Sequence, residues 1–317
     1  MKAIVVVNQA LEYREVSDPT PLPQEALIKV HYTALNRADL SQRAGTYPPP
    51  AGASEILGLE LSGTILQLPE NVKGWQVGDS VCALLTGGGY AQKACVPLEM
   101  LMPIPKGWTL QEATTLPEAY FTAYLNLFIE AKLQKGERVL IHGGASGVGM
   151  AAIQLAKEAG CEVLTTVGSS EKANFCKNLG ADTVINYREE DFAKQIQPSS
   201  IDVILDMVGA DYFERNLEVL TTHGRLVFIA TLSGSKTELD IRQLMAKRLS
   251  LKGSTLRARP LAEKINLKEK FIMQFWDALE TRIKPVIDSV FDIADAEQAH
   301  ARMKENMNRG KIVLKLE

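Results

Sequence analysis

Arg138-Val-Leu-Ile-His142-Gly143-Gly144-Ala145-Ser146-Gly147-Val148-Gly149 is the stretch on which the reading of this chain turns. An apolar run of strand length ends at His142 and a cluster of small residues follows. Gly147–Ala159 then carries Val148, Ala151, Ala152, Leu155 and Ala159 on one helical face. Strand, glycine-rich turn and helix, in that order, are the context a dinucleotide needs. Small residues let the backbone approach a pyrophosphate, and free amides at the helix start donate to its oxygens. Aligned on its end, Gly144-x-x-Gly147-x-Gly149 departs from Gly-x-Gly-x-x-Gly, with Ser146 where the second glycine belongs. Gly144, Ala145, Ser146, Gly147, Val148 and Gly149 are therefore candidate cofactor contacts, with a ligand-free tight turn as the alternative. Ser146 either touches phosphate or faces the substrate.

Downstream the rhythm of strand and helix continues. Glu162–Val167, Thr183–Asn186, Ile201–Asp206 and Arg225–Ala230 read as strands. Ser170–Leu179, Asp211–Leu220 and Asp240–Lys247 read as helices, the first closed by Gly180. Continuous apolar strands alternating with helices predict a parallel sheet covered on both faces, an α/β doubly wound domain. Upstream the chain is β-rich, with Lys2–Val7, Ala26–Thr33, Leu59–Leu66, Ser80–Leu85 and Tyr90–Val96 separated by proline and glycine clusters. After about Leu261 a helix (Leu267–Glu280), a strand (Val286–Phe291), a helix (Asp295–Asn306) and a last strand (Ile312–Leu316) follow. The β character of this tail predicts that it returns to the first domain.

Coenzyme choice is read at the end of the second strand of the doubly wound domain. An NAD enzyme places an acid there, about 20 residues beyond the glycine loop, for the ribose hydroxyls. Here the strand runs into Val167-Gly168-Ser169-Ser170, with no acid at the tip. Gly168 would border the ribose, and Ser169, Ser170 and Lys172 could hold a 2′-phosphate, so NADPH is expected. Glu171 either caps the following helix or weakens that preference, and the alternative for Lys172 is a solvated helix residue. Later strand ends, at Met207-Val208-Gly209 and Thr231-Leu232-Ser233-Gly234, should also reach the coenzyme, which makes Gly209, Thr231 and Leu232 candidates. His142 is expected to be a packed, hydrogen-bonded histidine. Asp206 is expected to fix the turn after its strand.

Composition narrows the field. With 35 basic and 38 acidic residues the net charge is −3, without the basic excess of nucleic-acid binders, so no nucleic-acid partner is expected. No apolar run reaches the roughly 20 residues that span a bilayer, and Met1–Val7 lacks the length of a signal sequence, so the expectation is a cytoplasmic chain. Cys82, Cys95, Cys161 and Cys176 form no Cys-x-x-Cys pair and read as free thiols.

Over essentially its whole length the chain resembles the quinone oxidoreductase branch of the medium-chain dehydrogenases/reductases, which includes zeta-crystallin. The segments that carry this are Ala34-Leu-Asn36-Arg37-Ala-Asp39-Leu, Gly45-Thr-Tyr47-Pro48-Pro-Pro50, Gly58-Leu-Glu60-Leu-Ser-Gly63 and Val77-Gly78-Asp79-Ser-Val81. The glycine loop with Ala151-x-Ile153-Gln154-Leu155-Ala156-Lys157, and Gly180-Ala181-Asp182…Ile185-Asn186-Tyr187, add to them. Leu101-Met-Pro-Ile-Pro105 and Gly310-Lys-Ile-Val-Leu314 are similar to stretches of the tumour-suppressor-inducible vertebrate members. The resemblance implies a GroES-like β-rich catalytic domain over residues 1–117 and 263–317, a Rossmann NADPH-binding domain over 118–262, a cleft between them, and a homodimer. Zinc-dependent relatives carry Cys at the position of Asn36 and His at that of Leu59. Asn36 is a poor zinc ligand and Leu59 is none, so a metal-free enzyme is expected.

The resemblance also places Asn36 near the nicotinamide, where its amide would orient the ring or the acceptor carbonyl. A helix cap for Asn36–Arg43 is the other reading, and Asp39 would brace Asn36 or Arg37. In related enoyl-thioester reductases a tyrosine at the place of Tyr47 donates a proton, and here three prolines stiffen the segment after it. The alternative for Tyr47 is an aromatic packing anchor. Tyr187 resembles a tyrosine near adenine and ribose, or else packs at the sheet edge. Asn308, in Asn308-Arg-Gly-Lys311, would reach the coenzyme cleft. Quinone reduction asks the protein mainly for orientation and a dry site, since the hydride chemistry belongs to the cofactor. The leading expectation is NADPH:quinone oxidoreduction, by hydride or single-electron transfer. The rivals are an enone, alkenal or enoyl-thioester reductase, and a non-enzymatic, crystallin-like or RNA-binding NADPH protein.

Overall fold

The computed structural model describes residues 1–316. The chain forms two compact units, Met1–Phe121 together with the segment from Arg257 to the C-terminal end, and Thr122–Leu256. Glu118–Phe121 and Arg257–Ala262, expected in the coenzyme-binding half, cluster with the first unit instead.

The second unit is a doubly wound α/β domain. Six strands lie in the spatial order Thr183–Asn186, Glu162–Val167, Arg138–His142, Ile201–Asp206, Leu220–Phe228, Ser250–Gly253, all parallel. That order runs outward in both directions from Arg138–His142, so the sheet has a switch point between Arg138–His142 and Ile201–Asp206. Both faces are covered, as the unbroken apolar strands require. Leu140, Leu164, Ile185 and Ile204 pack with Phe192, Phe213 and Leu217 in one buried cluster. The helix Gly147–Glu158 is buried along Met150–Ala156.

The first unit is built on a seven-stranded sheet ordered Ile287–Asp292, Lys311–Lys315, Glu25–Ala34, Glu60–Gln67, Ser80–Leu84, Leu101–Pro103, with Lys93–Pro97 paired to Glu25–Ala34. The expected return of the tail is seen in Lys311–Lys315, which pairs antiparallel with Glu25–Ala34. This pairing sets Lys311 beside the segment that opens the helix Arg37–Arg43.

Several elements differ from expectation. Ala10–Glu15 is a strand and forms a hairpin with Lys2–Val7. Its turn, Asn8–Gln9, has two left-handed residues without a glycine, so the usual hairpin signal is missing. Leu220–Phe228 begins earlier than Arg225 because Leu220 pairs with Ile201. The helix expected from Leu267 starts at Leu261, directly after Pro260. Thr109 and Glu112 form a reciprocal capping box on the unexpected short helix Leu110–Ala113. The four cysteines are unpaired.

Candidate active site

In the second unit the glycine loop follows Arg138–His142 at the switch point. Its glycines are required by close approach. A Cβ on Gly144 would stand 2.1 Å from Thr165 Oγ1, and one on Gly149 would stand 2.3 Å from the Gly143 carbonyl oxygen. Ser146 caps the helix, its Oγ accepting from the Gly149 N–H at 3.0 Å. The first-turn amides of Gly147 and Val148 have no intrahelical acceptor, and with Ala145 they form a cradle suited to an anion.

A buried polar chain runs beneath this loop. The Gly143 amide donates to Thr166 Oγ1 at 3.4 Å, and that hydroxyl lies 3.0 Å from His142 Nδ1. His142 Nε2 lies 2.8 Å from Asn216 Oδ1, and Asn216 Nδ2 donates to Asp206 Oδ2 at 2.8 Å. Asp206 Oδ1 accepts from the amides of Val208 and Gly209. Burial lowers the pKa of His142. His142 and Asp206 thus have the structural roles expected of them.

The two later loops are zipped together. Gly209 bridges Gly234, and the amides of Leu232 and Ser233 donate to the carbonyls of Met207 and Val208. Thr231 and Leu232 are exposed, Leu232 by 56%. At the second strand tip, Ser169 Oγ accepts from the Lys172 amide and caps the helix Ser170–Asn178. Tyr187 is 46% exposed, and its hydroxyl lies so close over Gly168 that a Cβ there would be 2.4 Å away. Gly144–Gly149, Gly168, Ser169, Lys172, Tyr187, Gly209, Thr231 and Leu232 all belong to this unit.

The first unit holds a buried charged cluster that the sequence reading did not find. Lys311 is 2% exposed and Glu60 fully buried, with the ammonium 2.7 Å from Glu60 Oε1. Lys311 Nζ also donates to Asn36 Oδ1 at 2.7 Å and to the Leu35 carbonyl at 2.9 Å, which engages all three of its hydrogens. Asn36 Nδ2 donates to Glu60 Oε1 at 2.9 Å and to the Ala34 carbonyl at 3.3 Å. Glu60 Oε2 accepts from the Glu118 amide at 2.8 Å. Asn36 also takes the N-cap position of Arg37–Arg43 in a capping box with Asp39, so the cap reading stands beside the contacts with Lys311 and Glu60.

Asp39 braces Asn36 as expected, with Oδ2 accepting from the Asn36 amide at 2.7 Å and Oδ1 from the Gly58 amide at 3.1 Å. Burial pushes the Asp39 carboxyl up to about 6. Behind it, Tyr90 donates to Asp39 and lies 3.2 Å from His300 Nε2. Tyr47 is half-buried, with the Arg257 guanidinium 5.6 Å from its ring centre. Burial, and then the nearby Glu118 carboxyl, raise the Tyr47 pKa, so the phenol keeps its proton. Asn308 is turned inward, its amide donating to the Gly310 carbonyl at 2.8 Å. The charges at Glu60 and Lys311 sit within or beside the apolar runs Leu57–Leu61 and Ile312–Leu314, and that interruption was the available signal.

Glu118 is half-buried, and burial followed by the Glu60 charge pushes its carboxyl up to about 8. The folded chain holds this proton to higher pH than the unfolded chain does. The stability it gives is complete below about pH 4.5 and is lost as the pH rises towards 8. Glu118→Gln should flatten that decline and leave the variant more stable than the parent at pH 9 by on the order of 2 kcal/mol. Urea unfolding between pH 5 and 9 checks this, and parallel curves for the two proteins would refute it.

Among the described residues no group of three His, Cys, Asp or Glu side chains is placed to hold a metal ion. Asn36 Oδ1 and Glu60 Oε1 instead face the Lys311 ammonium, and Leu59 is a buried core residue. This donor set does not suit zinc. No helix among the described residues is long and apolar enough to cross a membrane.

Comparison with known proteins matches residues 22–106 to the alcohol dehydrogenase GroES-like domain and residues 147–269 to the zinc-binding dehydrogenase family. The chain is 31% identical to the quinone oxidoreductase of Mus musculus, over 95% of this chain and 92% of that one. Among solved structures, the CurK enoyl reductase superposes with a TM-score of 0.86 at 30% identity, covering 100% of this chain and 99% of that one. A mycobacterial protein solved in complex with NADPH superposes with a TM-score of 0.87 at 26% identity, over 100% of both chains.

Proposed function

The chain belongs to the medium-chain dehydrogenase/reductase superfamily and is one of its oxidoreductases, and from that premise we propose that it reduces quinones with NADPH and without a catalytic metal. The observation that carries this reading is the Lys311 ammonium, held between Asn36 and Glu60 where a metal-dependent enzyme needs ligands. The likeness to the mouse quinone oxidoreductase supports the acceptor class.

When bound, NADPH supplies the hydride, or its electrons singly. The glycine loop fits such a coenzyme, since Gly144 and Gly149 leave no room for side chains and the helix start offers amides to the pyrophosphate. Gly168, Ser169 and Lys172 take the ribose and its 2′-phosphate, while Tyr187 lies beside them. Lys172→Ala should weaken NADPH binding by about 1.5–3 kcal/mol, the range for a charge-assisted hydrogen bond, and change NADH binding much less. Fluorescence titration with both coenzymes checks it, and an unchanged preference would remove Lys172 from the phosphate site.

On the first unit, Lys311 and Glu60 fix Asn36, whose amide orients the nicotinamide ring or the acceptor carbonyl. Tyr47 offers a protonated phenol, and Arg257 holds the ring in place. None of these groups needs to change charge for a quinone to be reduced, because water protonates the hydroquinone. The same reading takes the chain as a cytoplasmic homodimer.

The test is NADPH oxidation against a panel of ortho-quinones, para-quinones, enones and enoyl thioesters, with superoxide monitored to separate one- from two-electron steps. Quinones turning over at least about tenfold faster in kcat/KM than the rest would bear the proposal out. A panel led by enoyl thioesters would replace it with the second reading, enoyl reduction. That reading is favoured by Tyr47 together with the likeness to the CurK enoyl reductase. Full turnover that depends on added zinc would sink both.

A further inference from the structure

We propose that Arg257 is the oxyanion-holding residue of the acceptor site: its two terminal guanidinium nitrogens take the oxygen that becomes negative when a conjugated carbonyl compound is reduced. This rests on the reading of the protein as a reductase of carbonyl-conjugated acceptors and names the group that recognises them.

Arg257 is 3% exposed. Its Nε donates to the Thr86 carbonyl at 2.7 Å, which anchors the plane of the guanidinium. Nη1 and Nη2 are both buried and have no hydrogen-bond partner. A buried, charged donor with nothing to bond is costly, and native proteins satisfy nearly all such groups. Two such nitrogens on one side chain therefore mark a place where an acceptor oxygen belongs.

The surroundings specify its chemistry. The guanidinium lies against the Tyr47 ring, 5.6 Å from its centre, so a ligand oxygen at Nη1 or Nη2 comes beside the tyrosine. Lys264, 5% exposed, donates to the Arg257 carbonyl at 2.6 Å and adds a second buried cation. The acids that act on these cations are Asp39 and then Glu118 for Arg257, and Glu118 for Lys264, and neither acid accepts a hydrogen bond from the terminal nitrogens of Arg257. With the Glu118 carboxyl pushed up to about 8, it keeps its proton at neutral pH, so Asp39 is the one of these two acids that balances the cations there, and it does so without a hydrogen bond to Nη1 or Nη2. A planar cationic donor fixed by a backbone carbonyl, backed by a second cation and flanked by an aromatic face, fits a flat conjugated carbonyl compound. A soft hydrocarbon or a bulky cation would leave both nitrogens unpaired.

The electron balance is simple. A quinone that accepts a hydride gains two electrons and one hydrogen and becomes a hydroquinone monoanion, and one proton from water completes the hydroquinone. For an enone the hydride adds at the β-carbon and the carbonyl π pair moves onto oxygen. The resulting enolate is then protonated at carbon. Arg257 remains a cation throughout and stabilises the anion by charge and by two hydrogen bonds.

The test uses 4-nitrophenolate, a flat aromatic oxyanion that cannot be reduced by hydride at its oxygen-bearing ring. Its binding is read by absorbance in the full chain, with and without NADPH. The parent should bind the ionised form, with affinity following the ionised fraction of the phenol as pH changes. Arg257→Gln should weaken that binding by about 30-fold and leave the NADPH dissociation constant within about twofold. Arg257→Lys, which keeps the charge, should retain most of the affinity, and millimolar guanidinium ion should partly restore acceptor turnover in Arg257→Gln. The inference is overturned if the parent fails to bind the phenolate. It is overturned equally if Arg257→Gln binds it as tightly as the parent, or loses NADPH to the same degree. Should Arg257→Gln not fold, equal phenolate affinity at all pH values in the parent would overturn the inference, and a preference for the ionised form that Arg257→Lys retains would sustain it. Because binding of the phenolate needs no turnover, a protein that binds it through Arg257 but reduces no quinone or enone would refute the proposed function and leave this site standing.

Discussion

Replacing Lys311 by Met is expected to destabilise the protein by about 3–5 kcal/mol. The ammonium is 2% exposed and donates to Glu60, Asn36 and the Leu35 carbonyl. Methionine fills similar space but leaves the fully buried Glu60 carboxylate without its counter-charge. Broken buried pairs cost far more than exposed ones, because the orphaned charge keeps its desolvation penalty. The double variant Lys311→Met/Glu60→Gln removes the stranded charge while an amide oxygen can still accept a hydrogen bond. It should recover at least about half of the loss, a coupling of roughly 2 kcal/mol. Urea unfolding of parent, singles and double measures the cycle. Strict additivity, or a single variant within about 1 kcal/mol of the parent, would show that the ammonium does not hold this cluster together.

For Tyr47→Phe the expected result is a split between acceptors. Turnover of enones should fall by about 10²–10³-fold, the range for losing a positioned general acid. Quinones should change by no more than about threefold, since a hydroquinone oxygen takes its proton from water. Burial keeps the Tyr47 phenol protonated, which suits it to donate. The ring itself survives in phenylalanine, so its contact with the Arg257 guanidinium is retained. Steady-state kinetics with one quinone and one enone decide the matter. Equal losses on both acceptors would make Tyr47 a packing residue, and no loss on either would take it out of the acceptor site.

The doubly wound unit was legible because its signals are local. Arg138–His142, Glu162–Val167, Thr183–Asn186 and Ile201–Asp206 are apolar runs bounded by turn residues, and the structure has strands at those four places. The glycine loop was legible for the same reason, since strand, small residues and helix are consecutive. The Glu60–Lys311 pair was not, because its members are separated by 251 positions and meet only through sheet pairing. Nothing within a window around either residue names the other. Arg257 was hidden differently: among the charged residues Arg257, Arg259, Glu263 and Lys264, sequence does not say which cation is buried. At Asn36 a local rule and a distant partner meet. Its residue type suits a cap, and it caps the helix that begins after it, while Lys311 and Glu60, invisible to that local signal, also hold the side chain.

The polar chain beneath the glycine loop has a direction. Asn216 gives its amide hydrogen to Asp206, so its oxygen faces His142 and Nε2 must carry the ring proton. Nδ1 is then a bare lone pair that receives the Thr166 hydroxyl hydrogen, and this turns the threonine oxygen towards the Gly143 N–H. Only one tautomer lets every link both give and take. Acid abolishes that choice: an imidazole protonated at both nitrogens has nowhere to receive the threonine hydrogen. The threonine hydrogen must turn to another acceptor, while its oxygen takes the ring's second N–H, so the direction of this link is reversed. The sense in which hydrogen bonds run from the loop to the carboxylate at the end of the neighbouring strand is thereby set by a ring that is neutral.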